Sequence, residues 1–199
     1  MPFHLLFVCT GNTCRSPMAE VMMRALARGV IPEGELVVAS AGTAAHRGEP
    51  ASPPAVEAMA RRGLDLTGHR ARPVEEEDVR QAHLVLTMSR RQKEFLREKF
   101  PWAAEKIYTL KEFVRKKASG EVGASPQDAQ SQRAHASGGE GPSLSAGEKP
   151  LRPDDLDIAD PYGGSLEDYL VTAQEIELYL RRLLQNWPWT AGQAAPPDR

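Results

Sequence analysis

The fold is indicated near the N-terminus by residues 4–17, which read HLLFVCTGNTCRSP. The apolar run at residues 4–9 is typical of a short buried strand. It ends at the turn residues 10–12, and a helix is predicted to follow, with Ser16 as its cap and Pro17 in its first turn. A strand that leads through a tight loop into a helix is the first unit of an α/β fold.

The same alternation continues along the chain. Further strands are predicted at residues 36–41, 83–88 and 106–110, with helices between them. Apolar residues then recur at helical spacing from Tyr169 to Trp187, which predicts a long amphipathic helix. Strands and helices in this order predict three layers, with a four-stranded parallel sheet covered by helices on both faces.

The length of 199 residues fits one domain, expected at residues 1–187. Residues 116–153 interrupt it with a stretch rich in Ala, Ser, Gly, Gln, Pro and Glu. Such a composition buries too little apolar area to offset its ordering entropy, so we predict a disordered low-complexity insertion. A docking role for this insertion is the alternative. Residues 188–199 are expected to form a frayed tail.

Composition narrows the classes of function. The net charge of −2 leaves no basic footprint for nucleic acid or for an anionic membrane. Two cysteines make no disulfide framework and no zinc site, and no apolar stretch reaches the length of a membrane span or signal peptide. We expect a cytoplasmic monomer that uses no metal and no cofactor.

The loop from Cys9 to Arg15 is the candidate site. In a tight loop between strand and helix, backbone N–H groups turn inward, and the helix N-terminus adds the positive end of its dipole. Gly11 and Asn12 tolerate the positive φ angles that such a loop requires. Arg15 can complete it with a bidentate guanidinium contact to a phosphate. The loop therefore predicts a site for a tetrahedral dianion.

A nucleophile and an acid complete the predicted chemistry. The positive surroundings favour the thiolate of Cys9, and Ser16 is placed to donate a hydrogen bond to its sulfur. Asp160, held out of helical conformation by Pro161, is the candidate acid for the leaving group and base for the hydrolytic water. Taken singly, Cys9 could be a buried strand-end residue and residues 160–164 an ordinary turn. Together they predict a cysteine-dependent phosphatase.

The chain resembles the low-molecular-weight protein tyrosine phosphatase family. The resemblance rests on the CTGNTCRSP loop, residues 40–43 (SAGT), residues 68–72 (GHRAR) and residues 160–162 (DPY), in the family's order. It implies a Rossmann-like four-stranded parallel sheet, with Cys9 as nucleophile, Arg15 as phosphate clamp and Asp160 as acid. It also implies a hydrogen-bonded network that supports the loop, formed by Asn12, Ser16, Ser40 and His69.

Within the family, the loop resembles the bacterial protein-arginine phosphatase branch. Thr13 stands where tyrosine-directed members usually carry a branched aliphatic residue, and its hydroxyl could contact a guanidinium. Tyr162 stands where phenylalanine is usual in that branch. We therefore expect phosphoarginine proteins as substrates and phosphotyrosine proteins as the alternative. A neutral exchange at Thr13 is also possible. The expected phosphate- and substrate-binding residues are Thr10, Gly11, Asn12, Thr13, Cys14, Ser16 and Tyr162.

The resemblance also suggests that Cys14 forms a reversible disulfide with Cys9 and protects it from further oxidation. A small buried filler is the alternative interpretation of Cys14. An arsenate reductase would need further cysteines, and none follows Cys14. A non-catalytic phosphate-binding module would need neither the thiolate of Cys9 nor the acid Asp160.

Overall fold

The structure, a computed structural model, describes residues 1–119 and 155–185. In chain order its elements are β1 Phe3–Cys9, α1 Arg15–Ala27, β2 Leu36–Gly42, α2 Pro53–Ala60, α3 Glu76–Gln81, β3 Leu84–Thr87, α4 Arg90–Lys99, a 3₁₀ helix Pro101–Lys106, β4 Ile107–Thr109, α5 Leu110–Ala118 and α6 Leu166–Gln185.

The four strands form one parallel sheet in the order β2-β1-β3-β4. The predicted fold class is thereby confirmed. From β1 the chain crosses to β2 on one side and later returns to β3 on the other, so the loop after β1 lies where the winding direction changes. In parallel α/β sheets this switch point, at the carboxyl ends of the strands, is the usual position of a ligand site.

Helices cover both faces of the sheet, because successive side chains of each strand point in opposite directions. Leu5 and Phe7 face a layer that contains α1, α2, α5 and α6. Leu6 and Val8 face the opposite layer, with α3, α4 and the 3₁₀ helix. All four of these β1 side chains are at most 2% exposed. Each contributes about 1.5–3 kcal/mol through the removal of its apolar surface from water.

Helix α1 begins two residues earlier than predicted. Its N-cap is Cys14, which makes no side-chain capping hydrogen bond, so the expected cap at Ser16 is wrong. Ser16 is instead the second residue of the helix and is fully buried. Pro17 costs nothing in this first turn because the amides there have no partner within the helix.

Helix α5 continues through Ala118, so residues 116–118 are helical although the sequence places them in the insertion. Basic side chains in its last turn favour this extension, because they oppose the negative end of the helix dipole. Residues 120–153 of the insertion, residues 186 and 187 and the tail 188–199 lie outside the described residues. Within those residues, no helix has the length and hydropathy to cross a bilayer.

Candidate active site

A cavity of about 270 Å³ opens at the carboxyl end of β1. The loop after β1 forms one side of it with Cys9, Thr10, Gly11, Thr13, Cys14 and Arg15. Asp160 and Tyr162, distant in sequence, line the same cavity. The structure therefore brings together the predicted nucleophile, phosphate clamp and acid.

The loop is held from outside by its carbonyl oxygens. The carbonyls of Cys9, Thr10 and Thr13 each accept a backbone hydrogen bond of 2.9 Å, from Thr43, Ala44 and Ser52 respectively. Carbonyls that are bonded outward leave the N–H groups of the loop free to face inward. This is the arrangement that binds an anion at a helix N-terminus.

The sulfur of Cys9 receives two hydrogen-bonding groups. The backbone N–H of Asn12 donates to Cys9 Sγ at 3.3 Å. Ser16 Oγ lies 3.0 Å from the same sulfur and 3.3 Å from the carbonyl oxygen of Ala41. A thiolate is the stronger acceptor of the two, so the Ser16 hydroxyl can turn to it when Cys9 ionises.

Asn12 is the centre of the supporting network. It is fully buried, and its φ of 54° lies in the left-handed region. Its Nδ2 donates to Ser16 Oγ and to Ser40 Oγ, both at 2.9 Å. Gly11, by contrast, lies outside the left-handed region, so the expectation of a positive φ there is wrong. The asparagine alone supplies the left-handed residue of this loop.

The segment around residue 70 contacts the same asparagine. His69 Nε2 donates to the carbonyl oxygen of Asn12 at 2.6 Å, which requires the hydrogen on Nε2 because a carbonyl only accepts. The backbone N–H of Arg72 donates to Asn12 Oδ1 at 3.0 Å. The predicted association of Asn12, Ser16, Ser40 and His69 is thus present in the structure, and the Arg72 amide is an addition that the sequence did not indicate.

Arg15 and Asp160 meet at the mouth of the cavity. Arg15 is 5% exposed; its Nη1 donates to the carbonyl oxygen of Ile158 at 3.1 Å and its Nη2 to Asp160 Oδ2 at 2.5 Å. Arg15 Nε is buried and has no hydrogen-bond partner among the described residues. A buried N–H without a partner is costly, so an acceptor entering the cavity would be bound there. The Asp160 side chain is half exposed and can therefore reach a substrate.

Cys14 lies among hydroxyl groups. Its Sγ is 3.3 Å from Ser52 Oγ, 3.4 Å from Tyr169 Oη and 3.6 Å from Thr13 Oγ1. Burial, followed by the hydrogen bond with Cys14, raises the pKa of Tyr169 to about 12, so this phenol remains a donor at neutral pH. Both Cys9 and Cys14 are free thiols in the structure.

Sequence reasoning missed several side chains of the site. Ala44, His46 and Glu49 line the cavity from the loop after β2. Their position at the carboxyl end of a strand beside β1 was the available signal. Gln92 Nε2 donates to Thr10 Oγ1 at 3.0 Å. The sequence gave no indication of this role for Gln92, because its contact with Thr10 depends on the packing of α4.

A larger recess, about 730 Å³, lies around residues 24–38. Its lining contains no cysteine, histidine or serine, and it holds none of the predicted site residues. The smaller cavity at Cys9 is lined by the predicted nucleophile, phosphate clamp and acid, and it is the site that can perform group transfer.

Comparison with known proteins agrees with this geometry. The family described as low molecular weight phosphotyrosine protein phosphatase matches residues 4–133. The chain is 34% identical over 186 residues to a protein-arginine-phosphatase of Geobacillus stearothermophilus, which covers 94% of this chain and 97% of that protein.

Two solved structures share the fold over nearly the whole chain. One is a mutant of YwlE arginine phosphatase with a phosphorylated active-site serine (TM-score 0.67, 32% identity, 92% of this chain and 94% of the other). The other is a low molecular weight protein tyrosine phosphatase from T. tengcongensis (TM-score 0.69, 35% identity, 93% and 99%). The chain belongs to the low molecular weight phosphotyrosine protein phosphatase family.

Proposed function

We propose that this protein is a protein-arginine phosphatase, which transfers the phosphoryl group of phosphoarginine to Cys9 and then to water. One observation carries the proposal: Cys9, Asp160 and Arg15 line one small cavity, and the buried Nε of Arg15 has no hydrogen-bond partner among the described residues. The similarity to the Geobacillus stearothermophilus protein supports arginine as the phosphorylated residue.

The phosphoryl group of the substrate binds to the loop and to Arg15 before either chemical step. The inward amides of the loop and the guanidinium of Arg15 hold the phosphoryl oxygens above Cys9 Sγ. A phosphoryl dianion competes with Asp160 for the Arg15 guanidinium and repels the Asp160 carboxylate. Substrate binding thus releases the Asp160 carboxyl group from Arg15, so that it can reach the leaving group.

In the first step, the thiolate of Cys9 attacks phosphorus and the bond between phosphorus and the guanidine nitrogen breaks. Asp160 gives its proton to that nitrogen, so a neutral or protonated guanidine leaves instead of an anion. Ser16 and the amide of Asn12 stabilise the sulfur before attack and when it leaves.

In the second step, Asp160 takes a proton from a water molecule as its oxygen attacks the cysteinyl-phosphate. The bond between sulfur and phosphorus breaks, and inorganic phosphate and the Cys9 thiolate are released. The YwlE mutant with a phosphorylated serine supports a covalent intermediate of this kind.

The walls of the cavity favour a guanidinium over a phenyl ring. Thr13 contributes a hydroxyl, and Glu49 and Asp160 contribute carboxyl groups. Such groups hydrogen-bond the N–H groups of a phosphorylated guanidine, whereas a phenyl ring leaves them without partners.

The test compares peptides that carry phosphoarginine with peptides that carry phosphotyrosine. Wild type should turn over phosphoarginine with the higher kcat/KM, and Thr13→Ile should erode that preference. Cys9→Ser should abolish turnover of both, and Thr13→Ser, which keeps the hydroxyl, is the matched control. Equal or faster turnover of phosphotyrosine by the wild type would refute arginine specificity while leaving the phosphatase activity intact.

We also propose that Cys14 protects Cys9. A peroxide oxidises the Cys9 thiolate to a sulfenic acid, and the Cys14 thiol then displaces water to form a disulfide. Peroxide should inactivate wild type reversibly, with thiols restoring turnover, and should inactivate Cys14→Ser irreversibly. Full recovery of oxidised Cys14→Ser would contradict this role.

We further propose a cytoplasmic monomer that acts on phosphorylated proteins and does not bind nucleic acid. The near-neutral charge of −2 and the presence of only two cysteines support this assignment. Light scattering that gives twice the mass of 21.8 kDa would refute the monomer.

A further inference from the structure

A buried ammonium group lies outside the cavity, on α5. The Lys111 side chain is 2% exposed, and its Nζ lies 2.9 Å from Asp155 Oδ2 and 2.6 Å from Glu175 Oε1. It also lies 5.5 Å from the centroid of the Tyr179 ring. Lys111 thereby joins α5 to α6 and to the acid segment, as we name residues 155–160.

Stability alone gives little reason for a lysine at this position. The free-energy cost of removing an ammonium group from water offsets most of its attraction to carboxylates. Proteins in which apolar residues of similar volume replace a buried ion pair are often as stable. The α5 neighbours Leu110, Phe113 and Val114 belong to the apolar core. Burial acts to lower the pKa of Lys111, but hydrogen bonds with Glu175 and Asp155 raise it overall, so the charge is kept.

The acid segment is attached at successive points between Lys111 and the cavity. Asp157 Oδ1 accepts a hydrogen bond of 2.8 Å from the backbone N–H of Arg90. The buried Ile158 donates its N–H to the carbonyl oxygen of Met88 at 2.8 Å and accepts from Arg15 Nη1 at 3.1 Å. Asp160 then meets Arg15 Nη2. The Lys111 contact fixes the far end of this chain of attachments.

We propose that Lys111 is a positioning residue: through Asp155 it holds the acid segment so that Asp160 presents its carboxyl group at the mouth of the cavity. The inference rests on the proposed function, because it assigns to Asp160 the proton that the leaving group receives. Lys111 itself touches neither substrate nor reacting atoms.

Leaving-group dependence separates this role from a general loss of structure. Phenolate needs a proton as it leaves, whereas 4-nitrophenolate leaves readily as an anion. Loss of a positioned acid therefore slows phenyl phosphate far more than 4-nitrophenyl phosphate. The leaving-group ratio is kcat/KM for 4-nitrophenyl phosphate divided by kcat/KM for phenyl phosphate. We expect Lys111→Met to increase this ratio by about tenfold or more. A general acid contributes about a hundredfold or more, and misplacing it should lose a part of that effect.

Two further variants keep the test decisive if Lys111→Met folds poorly. Asp155→Asn breaks the same contact at a half-exposed residue and should shift the ratio in the same direction. Lys93→Met is the matched control: Lys93 is also largely buried and pairs with Glu112 of α5 at 2.8 Å, and no contact joins that pair to the acid segment in the described structure. It should leave the ratio unchanged.

Hydrogen exchange gives a readout that does not depend on turnover. The Ile158 amide should exchange faster in Lys111→Met and Asp155→Asn than in wild type, and at the wild-type rate in Lys93→Met. In an Asp160→Asn background, Lys111→Met should no longer change the leaving-group ratio, because the group that it positions is already lost.

An unchanged ratio in both Lys111→Met and Asp155→Asn would overturn the inference, and so would unchanged exchange at Ile158. Failure of the proposed function is distinguishable. It would appear as a wild type without turnover of any phosphorylated substrate, or as a Cys9→Ser variant that keeps turnover. The exchange rates decide the positioning role in either case.

Discussion

Replacement of Asn12 tests how the loop is held. Asn12→Ala removes three side-chain hydrogen bonds. Those to Ser16 and Ser40 are buried, and the one from the Arg72 amide is partly buried. At about 1 kcal/mol each, their loss costs about 3 kcal/mol. Alanine at a φ of 54° adds about 1–2 kcal/mol, because it lacks the short polar side chain that lets asparagine adopt the left-handed region. The total of about 4–5 kcal/mol is a large part of the stability of an ordinary domain.

Asn12→Gly separates the two contributions. Glycine loses the same three hydrogen bonds but adopts the left-handed conformation without steric cost. However, glycine has more conformational freedom than alanine in the unfolded chain, and this lowers the stability of the folded protein by about 0.5–1 kcal/mol relative to alanine. Asn12→Gly should therefore be more stable than Asn12→Ala by about 0.5–1 kcal/mol, although glycine is ordinarily the less stable of the two residues.

Urea denaturation provides the assay, with midpoints compared between variants of equal m value. Turnover of a phosphorylated peptide, measured on the same samples, should fall in both variants, because the lost side-chain hydrogen bonds hold in place the backbone amide that donates to Cys9 Sγ. A midpoint for Asn12→Ala equal to or above that of Asn12→Gly would refute the argument from φ. A loss below about 1 kcal/mol in both variants would refute the hydrogen-bond argument.

Three further predictions concern other parts of the molecule. Gly42→Ala places a Cβ 2.5 Å from the carbonyl oxygen of Thr10, so we expect a loss of about 1–3 kcal/mol in denaturation and a lower kcat/KM; unchanged kinetics would contradict this. Burial lowers the pKa of His83 below 6.5, so stability is complete above that pH and falls as the pH drops through it; His83→Gln should flatten this decline in Tm. The hydrogen bond with Lys111 lowers the pKa of Asp155 below 3.8, so the Tm difference between wild type and Asp155→Asn should be complete above pH 3.8. This difference should disappear as the pH falls from 3.8 through the lowered pKa of Asp155, and at high pH it should last until Lys111 loses its proton.

Local pattern predicted most of the fold. Strand β1 and helix α6 were predicted from the spacing of their apolar residues, and the structure confirms both. The 3₁₀ helix Pro101–Lys106 was missed because its irregular apolar spacing gives no periodic signal. The start of α1 was misplaced because Ser16, a good cap by residue type, is used as a partner of Cys9 instead.

How well the residues of the site could be predicted depends on how far apart they lie along the chain. Cys9, Asn12 and Arg15 share one loop between a predicted strand and a predicted helix, so this local context indicated a phosphate-binding loop. Asp160 could be proposed from a turn motif, but its contact with Arg15 arises only when the acid segment crosses the carboxyl end of β3. Lys111 gave no signal, since a lysine on an amphipathic helix ordinarily faces water.

The sequence by itself determined the alternation of strands and helices and the presence of a loop able to bind a phosphoryl group. Both are local properties, set by side-chain periodicity and by backbone conformations within a few residues. Only the tertiary structure decided which distant groups surround that loop: Ser40, His69, Glu49 and the acid segment. The physical reason is that these contacts depend on strand order and helix packing, which arise from burial of the whole core and not from any single stretch of the chain.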